Sequence, residues 1–317
     1  MTRSILIGTA YGAMAGAFWG ITFLAPELVA PFTPFQLATL RYLTFGIVSL
    51  LILLPRLGKL LPHINGAAFR ALVLLAILGS VGYYSMMGVA IQLSGVAMPS
   101  LIIGFIPVTV TLAGICRHNA VVTLRQLIPS ILLSTAGILC ISWQNFFIGS
   151  ALHHTGPLLQ AVGLLMAIGS LLGWTLFNVI NSDWLKKLEH ITSDEWNLLT
   201  GVVAGALSLF ILLPAAFFWP AHLPTTGWVR FFLISCGVGL FSSTIANAFW
   251  NRMTHLLPLT MVGQMILFET LFSLIYGFLW EQRLPTLWEA AAFLLSVSGV
   301  LACVRAHKNN EASHSYH

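Results

Sequence analysis

Apolar residues run along this chain in stretches of about twenty, separated by short polar gaps that hold nearly all of the charged residues. The stretches are continuous and do not alternate, which argues against half-buried strands, and in lipid a helix satisfies its own backbone hydrogen bonds. The pattern predicts membrane-spanning helices over residues 5–25, 34–54, 67–91, 96–116, 122–142, 157–180, 197–218, 228–250, 257–280 and 286–304. Prolines at 26, 31, 34, 55, 62, 220, 224 and 285 punctuate the gaps. The opening Met-Thr-Arg before an apolar run resembles a signal peptide, but no small-residue cleavage site follows, so it is read as the first span.

Composition closes off alternatives. With 58% hydrophobic and 7% charged residues, and a mean hydropathy of +0.91, no water-soluble surface can be built. Charge adds an orientation, because cytoplasmic loops retain Lys and Arg. With the N-terminus inside, eleven lie on the cytoplasmic side (Arg3, Arg56, Lys59, Arg70, Arg117, Arg125, Lys186, Lys187, Arg252, Arg305, Lys308), Arg230 and Arg283 lie outside, and Arg41 falls within a span. The expectation is an all-α membrane protein of ten transmembrane helices with both termini cytoplasmic. The formal net charge of +5 then marks topology, and no nucleic-acid partner is expected. The four cysteines sit in or beside apolar runs and read as packing residues. Residues 305–317 read as a disordered cytoplasmic tail.

Residues 143–156 form an uncharged external linker dividing five spans (1–142) from five more (157–304). An odd number of spans per unit inverts the second copy, so two inverted five-helix repeats are expected. GAFWGITF at 16–23 reads like LLGWTLFN at 171–178, placing Trp19 opposite Trp174. The stretch 97–113, with Pro107, parallels 259–273, with Glu269 near the equivalent place.

The Trp-Gly of the first span, Leu-Arg-Tyr at 40–42, the 97–107 stretch, Phe-Trp-Asn-Arg at 249–252 and Leu-Trp-Glu at 279–281 together resemble the ten-helix, EamA-like branch of the drug/metabolite transporter superfamily. The resemblance covers residues 5 to 304. It implies a carrier in a bacterial inner membrane, exporting amino acids or related metabolites, with substrate in a central cavity between the halves. The chain departs from the family pattern where Arg117-His118 stands in place of a glutamate, and where Glu269 replaces the second-half proline. The first span also has no glutamate, so the proton-coupled antiport of the small multidrug-resistance relatives does not carry over.

Helical faces locate a cavity lining. The sixth span aligns Ser170, Trp174, Asn178 and Asn181, and the eighth aligns Ser243, Thr244, Asn247, Trp250 and Asn251. That is more hydrogen-bonding capacity than lipid tolerates. The plainer use is bonding between neighbouring helices, worth about 0.6 kcal/mol each. The third span offers Tyr83 and Tyr84 with Met86 and Met87, and the first carries Gly8, Gly12, Gly16 and Gly20, a surface for close helix approach. The substrate-binding candidates are Trp19, Tyr83, Tyr84, Trp174, Asn178, Asn247, Trp250, Gln264 and Glu269.

Two ionisable residues stand inside the membrane, where a charge costs about 2.5–3.5 kcal/mol on insertion scales. Glu269 lies about 18 Å into the ninth span and Arg41 about 10 Å from the outer end of the second. Glu269 has three readings: a partner for a substrate amine, a proton carrier, or a structural bond to a neighbouring helix. Arg41 is read as a structural or gating charge. Glu269 and Gln264 fall about 140° apart on a helix, so they reach one ligand only if the helix is broken.

No HExxH, GxSxG or P-loop is present, and His153-His154 lacks further spaced ligands, so no enzyme, metal or cofactor is expected. Phosphorylated sugars call for several buried cations, and only Arg41 is on offer. The aromatic and amide lining suits small zwitterionic or neutral, partly apolar solutes. The reading is a secondary transporter working by alternating access, with a channel-like facilitator as the alternative and an intramembrane enzyme as the remoter one. The oligomeric state is not legible.

Overall fold

The computed structural model describes residues 2–29, 32–94, 99, 102–116, 122–149, 157–214, 227–282 and 284–314. His153, His154, Arg117 and His118 lie outside them. The main elements are α1 (Thr2–Gly20), α2 (Pro34–Leu53), α3 (Gly66–Ala76), α4 (Gly82–Ser94), α5 (Ile106–Ile115), α6 (Leu124–Gly149), α7 (Pro157–Lys187), α8 (Ser193–Leu207), α9 (Trp228–Val238), α10 (Ala246–Leu256), α11 (Leu259–Met265), α12 (Leu267–Glu281) and α13 (Leu287–His314). Among the described residues seven helical stretches are long and apolar enough to cross a membrane, joined by the shorter apolar helices Ile106–Ile115 and Leu124–Cys140. Two helices outrun their expected ends. α6 continues through 143–149, and α13 runs to His314 instead of fraying at 305, with His307 buried and its Nε2 2.8 Å from the Thr260 hydroxyl.

Local sequence explains where several helices begin. α2, α6, α8 and α13 each start after a threonine whose backbone N–H donates to a Gln or Glu side chain three residues on: Thr33 to Gln36 (2.9 Å), Thr123 to Gln126 (2.8 Å), Thr192 to Glu195 (2.9 Å) and Thr286 to Glu289 (2.8 Å). Such caps satisfy amides that the first helical turn leaves open. The second pair stands roughly 160 residues after the first. Irregularities recur at the same offset. A π-helical turn at Ile77–Val81 links α3 to α4 and another at Gly239–Ile245 links α9 to α10, while a turn at 104–105 precedes α5 and one at 266 separates α11 from α12; the π-helical turn at Ser208–Leu212 after α8 has no such counterpart in α2.

Helices from the two halves pack in pairs: α4 on α7, α1 on α10, α2 on α8, α5 on α11 and α6 on α13, with α1 also lying along α12. Small residues allow this closeness, since lipid supplies no hydrophobic drive between helices. A Cβ on Gly46 of α2 would stand 2.7 Å from the Cα of Gly205 of α8. One on Gly16 of α1 would stand 2.5 Å from the Phe268 Cβ and 2.8 Å from the Glu269 nitrogen of α12. At one helix end, Arg56 reaches Glu195 at 3.2 Å and Arg252 grips Asp194 with two nitrogens. These solvent-accessible pairs contribute little stability but tie the turn after α2, and α10, to the start of α8.

Candidate functional site

The glycine face of α1 turns Trp19 inward, 5% exposed, where its indole N–H donates to the Ser242 carbonyl at 2.8 Å. Its ring meets Trp250 of α10 at 4.9 Å between centroids and Trp174 of α7 edge-on at 5.9 Å. Trp174 continues the contact to Tyr83 of α4 at 5.2 Å, and Tyr83 to Tyr84 at 5.5 Å. Each such pair contributes about 0.5–1.5 kcal/mol beyond its buried area. The row presents adaptable aromatic faces drawn from both halves of the chain.

Arg41 closes the row into a ring. Seven residues into α2 and 7% exposed, it donates from Nε to the Ser243 hydroxyl at 2.8 Å and from Nη1 to the Tyr84 hydroxyl. Its guanidinium lies over the rings of Tyr84 (4.8 Å) and Tyr42 (5.5 Å), a cation–π arrangement that strengthens as water is removed. Ser243 follows Ser242, the acceptor of the Trp19 indole, in the π-helical turn 239–245. The circuit thus runs Trp19, Trp174, Tyr83, Tyr84, Arg41, Ser243, Ser242 and back to Trp19.

Glu269 enters from α12, in its first turn beyond the break at Ile266, packed where Gly16 lets the backbones meet. It is partly buried and lies within electrostatic reach of both Arg41 and Tyr83. Among the described residues no ion pair or hydrogen bond engages its carboxyl group.

The structure brings Trp19, Tyr83, Tyr84, Trp174, Trp250 and Arg41 together and sets Glu269 beside them. Asn178, one turn along α7, donates to the Trp174 carbonyl at 2.9 Å, while its buried Oδ1 has no partner among the described residues. The buried Trp250 indole nitrogen is likewise unpartnered, and Asn247 is partly buried one turn from it on the same helix. Gln264 is placed elsewhere. Fully buried, it accepts from Ser134 of α6 at 2.7 Å and donates to Thr111 of α5 at 3.2 Å, knitting α11 into the α5–α6 side. The helix does break, as a shared ligand would need, yet the Gln264 amide is occupied at both ends. Asn181 and Asn251 pair with each other at 2.8 Å, with Trp196 on the first at 3.2 Å, and act between helices. Tyr42 and Ser242 join the site unforeseen. Tyr42 was signalled only by adjacency to Arg41, and Ser242 takes part through its backbone, which no side-chain pattern reveals.

Residues 6–143 match the EamA-like transporter family. Over 317 aligned residues, 95% of this chain and 96% of the relative, the chain is 26% identical to inner membrane protein YtfF of Escherichia coli (strain K12). Its fold is similar to that of a solved crystal structure with 18% sequence identity and a TM-score of 0.74, covering 93% of this chain and 95% of the other. At that identity the second likeness speaks for the fold alone.

Proposed function

We propose, from the match of residues 6–143 to the EamA-like transporter family, that this chain is a secondary transporter of a bacterial inner membrane, exporting small, partly apolar metabolites such as amino acids by alternating access. In this reading α1, α5 and α6 add three spans to the seven longer ones, giving two inverted five-helix repeats with both termini in the cytoplasm. The recurrence of threonine caps, π-helical turns and helix breaks roughly 160 residues apart supports the duplication, and the eleven-to-two sorting of Lys and Arg supports the orientation. Broken helices near the midplane, with a site between repeats, are the usual equipment of such carriers.

The observation that carries the proposal is the closed ring of Trp19, Trp174, Tyr83, Tyr84, Arg41 and Ser243, drawn from both halves, with Glu269 facing it. Its aromatic faces receive an apolar body. The open Oδ1 of Asn178, the Trp250 indole N–H and the Asn247 amide supply hydrogen bonds to a ligand or to the alternative packing of the transport cycle. Glu269 binds a substrate ammonium or carries a proton. Gln264 is left out because its bonds are already made.

The test is counterflow in proteoliposomes loaded with unlabelled amino acids: a carrier shows saturable, trans-stimulated uptake of label, whereas a facilitating channel shows none. Glu269→Gln is expected to slow transport and flatten its pH dependence; an unchanged rate with unchanged pH dependence removes the proton-carrier role.

A further inference from the structure

Arg41 is held without being neutralised. Its side-chain hydrogen-bond partners among the described residues, the hydroxyls of Ser243 and Tyr84, are uncharged, and the rings of Tyr84 and Tyr42 lend only their faces. A guanidinium has five N–H donors, so donors remain for another acceptor. Among the described residues no carboxylate forms an ion pair with it, although the side chain is 93% removed from solvent on the 7% exposure above. The acid that shares its field, Glu269, is held on a different helix by the close approach of α12 to Gly16, and its carboxyl group likewise has no partner among the described residues. An ion pair kept for structure alone gains by closing to contact, since each charge is costly to leave uncompensated in the membrane. Here a guanidinium and a carboxyl group, not in contact with each other, both stand beside one ring of aromatic faces.

We propose that Arg41 and Glu269 are the two poles of one subsite for a zwitterionic solute, whose carboxylate takes the free N–H donors of Arg41 and whose ammonium takes the Glu269 carboxylate. The apolar body lies on Trp19, Trp174 and Tyr83. Ser243 and Tyr84 are positioning residues that aim the guanidinium. Each pole alone selects poorly: an amine leaves Arg41 uncompensated, and a carboxylate without an amine meets Glu269. The inference rests on the reading of the ring as the transport site and adds a charge signature to it.

The experiment uses the purified full-length chain in detergent and follows its melting temperature against ligand concentration, because a ligand that binds only the folded state raises it. Leucine, phenylalanine and tryptophan are each compared with the decarboxylated amine and the N-acetylated acid of the same skeleton. At least one zwitterion is expected to bind about tenfold to a hundredfold more tightly than both of its singly charged forms, the range set by one charged hydrogen bond. Glu269→Gln should shift preference toward the N-acetylated acid, and Arg41→Gln toward the amine. Should Arg41→Gln not fold, Arg41→Lys and Tyr84→Phe carry the test. Both should weaken the zwitterion and spare the amine, whereas equal weakening of the two compounds means a structural role and overturns the proposal. It is also overturned if amine or acid binds as well as the zwitterion, or if no compound shifts the melting temperature. Counterflow of any solute that persists in that case leaves the transporter reading standing and removes this inference alone.

Discussion

Gln264 and Glu269 show at the level of single residues how similar polar side chains in one span come to different ends. Both are hydrogen-bonding groups in an apolar run. Gln264 satisfies its amide at Ser134 and Thr111, while the Glu269 carboxyl group takes no ion pair or hydrogen bond among the described residues. Gln264→Met, close in length and volume, strips the Ser134 hydroxyl of its acceptor while Thr111 keeps the Pro107 carbonyl, and should destabilise the protein by about 1–3 kcal/mol. The ligand affinity of the folded protein should be unchanged. Melting and binding measured on one preparation check this, and a loss of affinity without a loss of stability would falsify the placement. That both residues are expensive in lipid was legible from the chain; which of them is spent on packing depended on three helices, α5, α6 and α11, meeting at one point.

Helix ends were more legible than helix contacts. The apolar runs and the prolines between them placed most spans, and the glycines of α1 announced a close partner; the threonine caps at 33, 123, 192 and 286, a strictly local signal, came to light only in the structure. The π-helical turns at Ile77–Val81 and Gly239–Ile245 have no comparable signal. Neither stretch contains proline, and a widened turn is decided by what packs against it, as when Gly239 comes within reach of the Arg41 carbonyl. Gly16 offers the element-scale prediction. Gly16→Val would drive side-chain atoms into the Phe268 and Glu269 backbone, and such overpacking typically costs about 1–3 kcal/mol. Gly58→Ala, in a helical turn where nothing lies within 4 Å, should leave the melting temperature level or slightly raised, since alanine narrows the unfolded ensemble. Equal tolerance of both changes would show that α1 and α12 are not in this contact.

For the whole molecule, the expected arrangement is checked by labelling. In a variant without its four cysteines, single cysteines placed at Lys59, Lys186 or Lys308 should react with an impermeant maleimide only after the inner membrane is permeabilised. One at Arg230 should react in intact spheroplasts. Labelling of both sets from one side rules out the proposed orientation. Sequence by itself determined that the chain is helical and at home in a membrane, because apolar run length and backbone hydrogen bonding in lipid leave no other choice. It also located the glycine face and the aromatic and charged residues worth watching, since each depends on neighbours within a turn or two. Only the tertiary structure decided which of these meet. Arg41, Tyr84 and Ser243 lie far apart in sequence and on three helices, and whether a buried polar group bonds a neighbour or stays open is settled by the packing of whole helices against one another.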